Sequence, residues 1–144
     1  MSTAATTLLR NWSWRCAKSS TRKELVTDKW TPCSHSRATT QIHPDLIDAG
    51  LIADPFVDLN EHTVQWVGEA DWEYQTTFTY SSSVKFTDLV FEGLDTFASV
   101  FLNDVKLLET QNMFHSHRIP VQNSLNDGHN TLRIYFCSAL LRAQ

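Results

Sequence analysis

Sugar rings present apolar C–H faces that stack on Trp and Tyr, while Asn, Asp and Glu bind their hydroxyls. This chain places those residue types close together, with Asn60 and Glu61 in a polar loop and Trp66 and Trp72 shortly after it. Asn60, Glu61 and Trp66 are therefore the candidate sugar-binding residues. A small β domain also uses Trp as core filler, and that is the reading for Trp12, Trp14 and Trp72. For Trp66, beside the polar loop, both readings stand.

Other chemistry finds less support. His115 and His117 alternate and would share one face of a strand, but no third ligand is spaced locally and no Cys lies near. They are read as structural or solvent-exposed, with no metal expected. Glu61-His62 lacks the HExxH spacing of a metalloprotease, and no GxSxG elbow is present for a Ser/His/Asp triad. Glycoside hydrolysis needs two carboxyl groups across a sugar ring, and Glu61, Glu69, Asp71, Glu73 and Glu92 are the available acids. Alternation puts Glu73 and Glu92 on strand surfaces, where a carboxylate is expected to be solvated, so no catalytic role is assigned. The four glycines are far apart, which leaves no phosphate-cradling loop. No cofactor is expected.

The chain has 144 residues, 42% of them hydrophobic, with five Trp. That length suits one domain, and that composition suits a folded one. A net charge of -4 with scattered basic residues gives no footprint for nucleic acid or an anionic membrane. The apolar runs fall well short of the ~20 residues that cross a bilayer. Residues 1–9 lack a signal-peptide core, so a cytoplasmic location is expected. Cys16, Cys33 and Cys137 are widely spaced and odd in number, which suits reduced thiols packed as small core residues. Asn11-Trp12-Ser13 matches a glycosylation sequon and is read as a chance match.

The elements that must position these residues are strands. Residues 71–80 alternate, with Trp72, Tyr74, Thr76, Phe78 and Tyr80 on one face and Glu73, Gln75, Thr77 and Thr79 on the other, which predicts a half-buried strand. Residues 11–16 predict another, with Trp12, Trp14 and Cys16 on one side. Residues 18–28 read as a polar loop, and 30–33 as a short strand that Pro32 confines to an edge or end. Residues 34–40 read as an exposed loop. Residues 43–52 predict one short helix, with Pro44 in its first turn and Gly50 as its C-terminal cap. Residues 53–60 read as a loop anchored by Phe56 and Leu59, and 61–68 suit a helical turn or a bend.

After a turn at 81–83, residues 85–92 return as a strand into the stretch 91–109. There Gly93 breaks the run, and Phe97, Ser99 and Phe101 alternate with Ala98, Val100 and Leu102. Asn103-Asp104 tolerates the positive φ of a two-residue hairpin turn before 105–108. Residues 113–121 are irregular, then extended. Residues 126–129 are a turn, and 131–136 form a strand with Leu132, Ile134 and Phe136 inward. Strands with turns every ~8 to 12 residues and one short helix predict an all-β jelly-roll sandwich.

Several stretches together resemble a known family. Asp54-Pro55-Phe56, Asn60-Glu61, Val64-Gln65-Trp66-Val67-Gly68-Glu69 and Asp71-Trp72-Glu73-Tyr74 are similar to the N-terminal domain of β-mannosidases of glycoside hydrolase family 2, of the fungal intracellular type. Phe91-Glu92-Gly93-Leu94-Asp95-Thr96-Phe97-Ala98 through Val100-Phe101-Leu102-Asn103 resembles the family's sugar-binding-domain motif. Asn112-Met113-Phe114, His117-Arg118, Asn130-Thr131-Leu132 and Ser138-Ala139-Leu140-Leu141 match as well. The resemblance implies a galactose-binding-like jelly roll over 11–144, after a flexible N-terminus at 1–10. It further implies partner domains, one immunoglobulin-like and one a (β/α)8 barrel whose two glutamates hydrolyse β-mannosides by the retaining mechanism. The family's Gly-Trp-Asp-Trp-Gly-Pro segment, which reaches into its sugar site, has no counterpart here.

The expectation is an accessory domain of a truncated β-mannosidase, non-catalytic alone, with β-mannoside oligosaccharide as the ligand of the parent enzyme. A free-standing carbohydrate-binding module is the alternative from a different class, and an interaction domain that docks on a full-length enzyme is a third. An exposed apolar patch is expected where relatives bury this domain against others.

Overall fold

Cross-strand hydrogen bonding gathers the alternating runs into two antiparallel sheets. The computed structural model describes residues 9–33, 67, 69–81, 87–91, 97–110 and 117–137. Its strands are β1 (Ser13–Lys18), β2 (Thr31–Pro32), β3 (Asp71–Tyr80), β4 (Asp88–Phe91), β5 (Ala98–Leu102), β6 (Val105–Thr110), β7 (His117–Pro120) and β8 (Gly128–Phe136). The larger sheet runs β2-β1-β3-β8-β5-β6, and β4 pairs with β7 in a second sheet. The fold is an all-β sandwich.

The core forms because one pleat face of each central strand is apolar. Trp14 and Cys16 on β1, Trp72 and Tyr74 on β3, Leu132 and Ile134 on β8, and Ala98 and Val100 on β5 are all buried. Phe91, Leu89 and Ile119 from the second sheet join the same cluster, so the two sheets share one core. Trp14 and Trp72 meet edge to face at 6.1 Å and 61°, and Tyr74 and Phe136 at 5.9 Å and 83°. Such aromatic pairs add ~0.5–1.5 kcal/mol beyond the area they bury. On β5 Ala98 and Val100 face inward, and Ser99 and Phe101 lie on the other face.

Most of the expected strands are present, with shifted ends. The first begins at Ser13 because Asn11 takes a left-handed φ of 61°, which breaks extension just before Trp12. The 30–33 strand is the two-residue β2 at the sheet edge, where Pro32 has no need of an N–H partner. The polar stretch 18–28 holds a 3-10 turn, Lys23–Leu25, entered through Ser19, whose Oγ accepts from the Arg22 N–H at 3.0 Å. The hairpin turn is as its residues require, since Asn103 (φ 51°) and Asp104 (φ 67°) are both left-handed, the geometry of a type I′ turn. Gly128, at φ 100°, opens β8 earlier than its apolar alternation indicates.

The described part of the run 85–92 is β4, a strand as expected, and it pairs with β7, so it and the hairpin after it belong to different sheets. The helix at 43–52 lies outside the described residues, as does 61–68 apart from Val67, which is helical. Among the described residues the large apolar side chains most open to solvent are Val26, just after the 3-10 turn, Val90 on β4 and Val105 on β6. No helix of the described residues is long and apolar enough to cross a membrane.

Candidate functional site

The outer face of the larger sheet carries charge at its centre. Arg15 on β1 lies directly opposite Glu73 on β3, and Arg133 on β8 pairs with Gln75, which puts it diagonal to Glu73. Diagonal neighbours on one pleat face are within reach of long side chains. Arg15 Nε donates to Glu73 Oε1 at 3.0 Å, and Arg133 Nη1 donates to Oε2 at 2.6 Å. Arg15 Nη1 also donates to the Asp28 carbonyl at 3.0 Å. Each guanidinium rests on a ring, Arg15 4.1 Å from the Trp30 centroid and Arg133 4.3 Å from that of Phe101, the arrangement that cation–π attraction favours. Beside them the Tyr135 hydroxyl donates to Asp71 Oδ2 at 2.6 Å. Burial, and then the hydrogen bond to Asp71, push the Tyr135 phenol up from its ordinary value.

This arrangement staples three strands and leaves little for catalysis. The Glu73 side chain is 6% exposed, and both of its oxygens are engaged by guanidinium groups. A glycosidase carboxyl must exchange a proton with the substrate or attack its anomeric carbon, and Glu73 is positioned for neither. The expectation of a solvated Glu73 is thereby corrected. Alternation identified its face, but not that two cations would close over it. The signal was present as one acid and two bases at outward positions of three strands; reading it needed the register, which joins residues 58 and 60 apart.

A second feature is concave. Where β2 stops after two residue pairs, β1 runs on, and the 3-10 turn folds back beside it. The gap is a pocket of about 210 Å³ lined by Trp14, Arg15, Cys16, Glu24, Leu25, Thr27, Thr31 and Trp72. The Trp72 indole N–H donates to the Val67 carbonyl at 3.0 Å, which fixes one wall. Arg22 donates to the Glu24 carboxylate and holds its carboxyl below the usual range.

Asn60, Glu61 and Trp66 lie outside the described residues, as do Glu92 and His115. Trp12, Trp14 and Trp72 are core residues, at 7%, 6% and 4% exposure. Cys16 is buried, and Cys33 and Cys137 are partly buried; all three are free thiols. Among the described residues no three His, Cys, Asp or Glu side chains gather as a metal site requires.

An all-β sandwich of this kind is the frame of a known class. The chain belongs to the glycosyl hydrolase 2 galactose-binding domain-like family, whose model matches residues 12–144. Among curated proteins it is similar to Beta-mannosidase B of Thermothelomyces thermophilus, with 43% identity over 135 residues, 92% of this chain and 15% of that protein. Among solved structures it is similar to the β-D-mannosidase of Dictyoglomus thermophilum, with 34% identity and a TM-score of 0.78 over 93% of this chain and 16% of that one. The exo-chitosanase of Amycolatopsis orientalis shares the fold, at 19% identity and a TM-score of 0.74. The chain thus spans about 15% of the length of the curated relative described.

Proposed function

We propose that this chain serves as the N-terminal accessory domain of a β-mannosidase, an enzyme that hydrolyses terminal non-reducing β-D-mannose residues from oligosaccharides and glycoprotein glycans. The observation that carries the reading is the match to the Dictyoglomus thermophilum β-D-mannosidase, in sequence as well as fold, over 93% of this chain and 16% of that one. In this reading the two carboxyl groups of a retaining glycosidase come from a further domain of the parent enzyme. This domain supplies a packed, charge-stapled sheet against which other domains sit. Contacts to sugar are assigned, on sequence grounds, to Asn60, Glu61 and Trp66.

Two measurements test it together. The isolated chain, assayed on an aryl β-mannoside, gives no turnover. A chimera in which the chain replaces the matching segment of Beta-mannosidase B from Thermothelomyces thermophilus folds and retains mannoside hydrolysis. Robust hydrolysis by the isolated chain, or a chimera that folds yet has lost all activity, overturns the proposal.

A further inference from the structure

We infer that the Asp127–Gly128 bond is a site of spontaneous aspartate isomerisation, and that the Asn130 side chain makes the stability of the domain depend on it. The step is intramolecular. The Gly128 nitrogen bonds to Cγ of the protonated Asp127 carboxyl, which gives up its hydroxyl while the nitrogen gives up its proton, so that one water leaves as a five-membered succinimide closes. Water then reopens the ring. Breaking the bond from the nitrogen to Cγ restores aspartate. Breaking the bond from the nitrogen to the main-chain carbonyl carbon yields isoaspartate, in which the backbone runs through Cβ and Cγ and a new α-carboxylate projects from the chain. Water is the only co-reactant, and nothing is oxidised or reduced.

The position suits this chemistry. It is the one place in the sequence where Asp or Asn precedes Gly, so no side chain on the following residue shields the attacking nitrogen. Gly128 takes a φ of 100° and has no atom within 4 Å of where a Cβ would stand, and Asp127 is exposed, which leaves room for the ring. Gly128 with Tyr80 is also the last pair of the β3–β8 ladder, and the end of a ladder opens more readily than its middle.

The turn is gripped on both sides of Asp127 by one side chain. The Asn126 N–H donates to Asn130 Oδ1 at 2.7 Å, and Asn130 Nδ2 donates to the Asn126 carbonyl at 2.9 Å and to the Gly128 carbonyl at 3.2 Å. Isoaspartate adds one backbone atom inside that grip, so the two carbonyls can no longer both reach the same amide. Asn130 is wholly buried, and a polar group stranded there loses more than an exposed one. Because β8 lies in the middle of the larger sheet, a change in a surface turn reaches the central ladder.

The inference stands apart from the accessory-domain reading, since neither turnover by the isolated chain nor failure of the chimera bears on it. The test is incubation of the full chain at physiological temperature and neutral pH. Isoaspartate is located by electron-transfer fragmentation of peptides and counted by enzymic methylation of its α-carboxylate. Residue 127 is expected to convert at least ~10-fold faster than any other Asp, a barrier about 1.4 kcal/mol lower. Asp127→Glu, at an exposed position that spares the core, should remove the signal, because its ring would need six members. The converted chain, separated by chromatography, should melt about 5 °C or more below the fresh one, with the Asn130 side-chain amide resonances displaced. Isoaspartate at residue 127 no faster than elsewhere, methylation unchanged in Asp127→Glu, or a converted chain that melts with the fresh one and keeps its Asn130 resonances overturns the inference.

Discussion

Asn130, wholly buried in β8, accepts a hydrogen bond at 2.8 Å from the side chain of Asn103 at the tip of the β5–β6 hairpin. Its Oδ1 also accepts from the Asn126 N–H at 2.7 Å, and its Nδ2 donates to the carbonyls of Asn126 and Gly128. One side-chain amide thus uses both lone pairs and both N–H groups. It ties the turn before β8 to the hairpin beside it. Asn103 completes the joint by exchanging hydrogen bonds with the Thr131 backbone. Asn130→Ala strands several buried polar groups at once, so a loss of about 2–4 kcal/mol is expected in urea unfolding. A loss under about 0.5 kcal/mol would mean that water takes over the joint.

Glu73 gives the second prediction. Glu73→Gln keeps the shape but removes the charge that balances two guanidinium groups, and breaking a pair this buried costs about 2–4 kcal/mol. The arginine side chains are 21% and 26% exposed and regain some hydration, which places the cost toward the lower end. Denaturant melts of the wild type and variant measure it. A catalytic role would instead leave stability intact and change turnover of the parent enzyme alone.

Alkaline stability follows from Tyr135. Its phenol is raised in the folded state above the ordinary 10.0, so the folded chain holds that proton more tightly than the unfolded one. The associated stability is complete below about pH 10 and declines as pH rises through the folded value. Cys16, raised by burial from 9.0, acts in the same direction from about pH 9. Thermal melts from pH 8 upward should show Tyr135→Phe with a shallower alkaline decline than wild type. Parallel curves would show that the phenol proton does not contribute.

The thiols should also differ in reactivity. Burial raises the Cys16 thiol and encloses it at 1% exposure, and both effects suppress the reactive thiolate. With a disulfide reagent under native conditions, Cys33 and Cys137 are expected to react at least ~10-fold faster than Cys16. Equal rates for all three would point to opening of β1.

Strand periodicity was the most legible part of the molecule. The run 71–80 and the Asn103-Asp104 turn are local properties, set by alternation and by tolerance of positive φ, and both are found where their residues indicate. Two packed sheets were expected, but which strand joins which sheet was not legible, because β4 pairs with β7 across 30 residues and nothing local to 85–92 specifies that choice. Glu73 escaped for the same reason: its partners come from strands far along the chain. The pocket depends on how far β2 extends beside β1, which is a matter of register and edge length. In each case the missing information was long-range pairing, which residue types alone do not encode.

The strand order has a consequence for the time course of folding. β8 lies between β3 and β5, so the last of the described strands to be synthesised occupies the middle of the larger sheet. Its contacts to β3 join residues 60 and 64 apart, and loop closure of that length must precede any gain from the central ladder. A chain still emerging from the ribosome can form the β5–β6 hairpin, but not the sheet around it. Until β8 is released, β3 and β5 each have an unpaired edge, and that interval is when this domain is most exposed to aggregation.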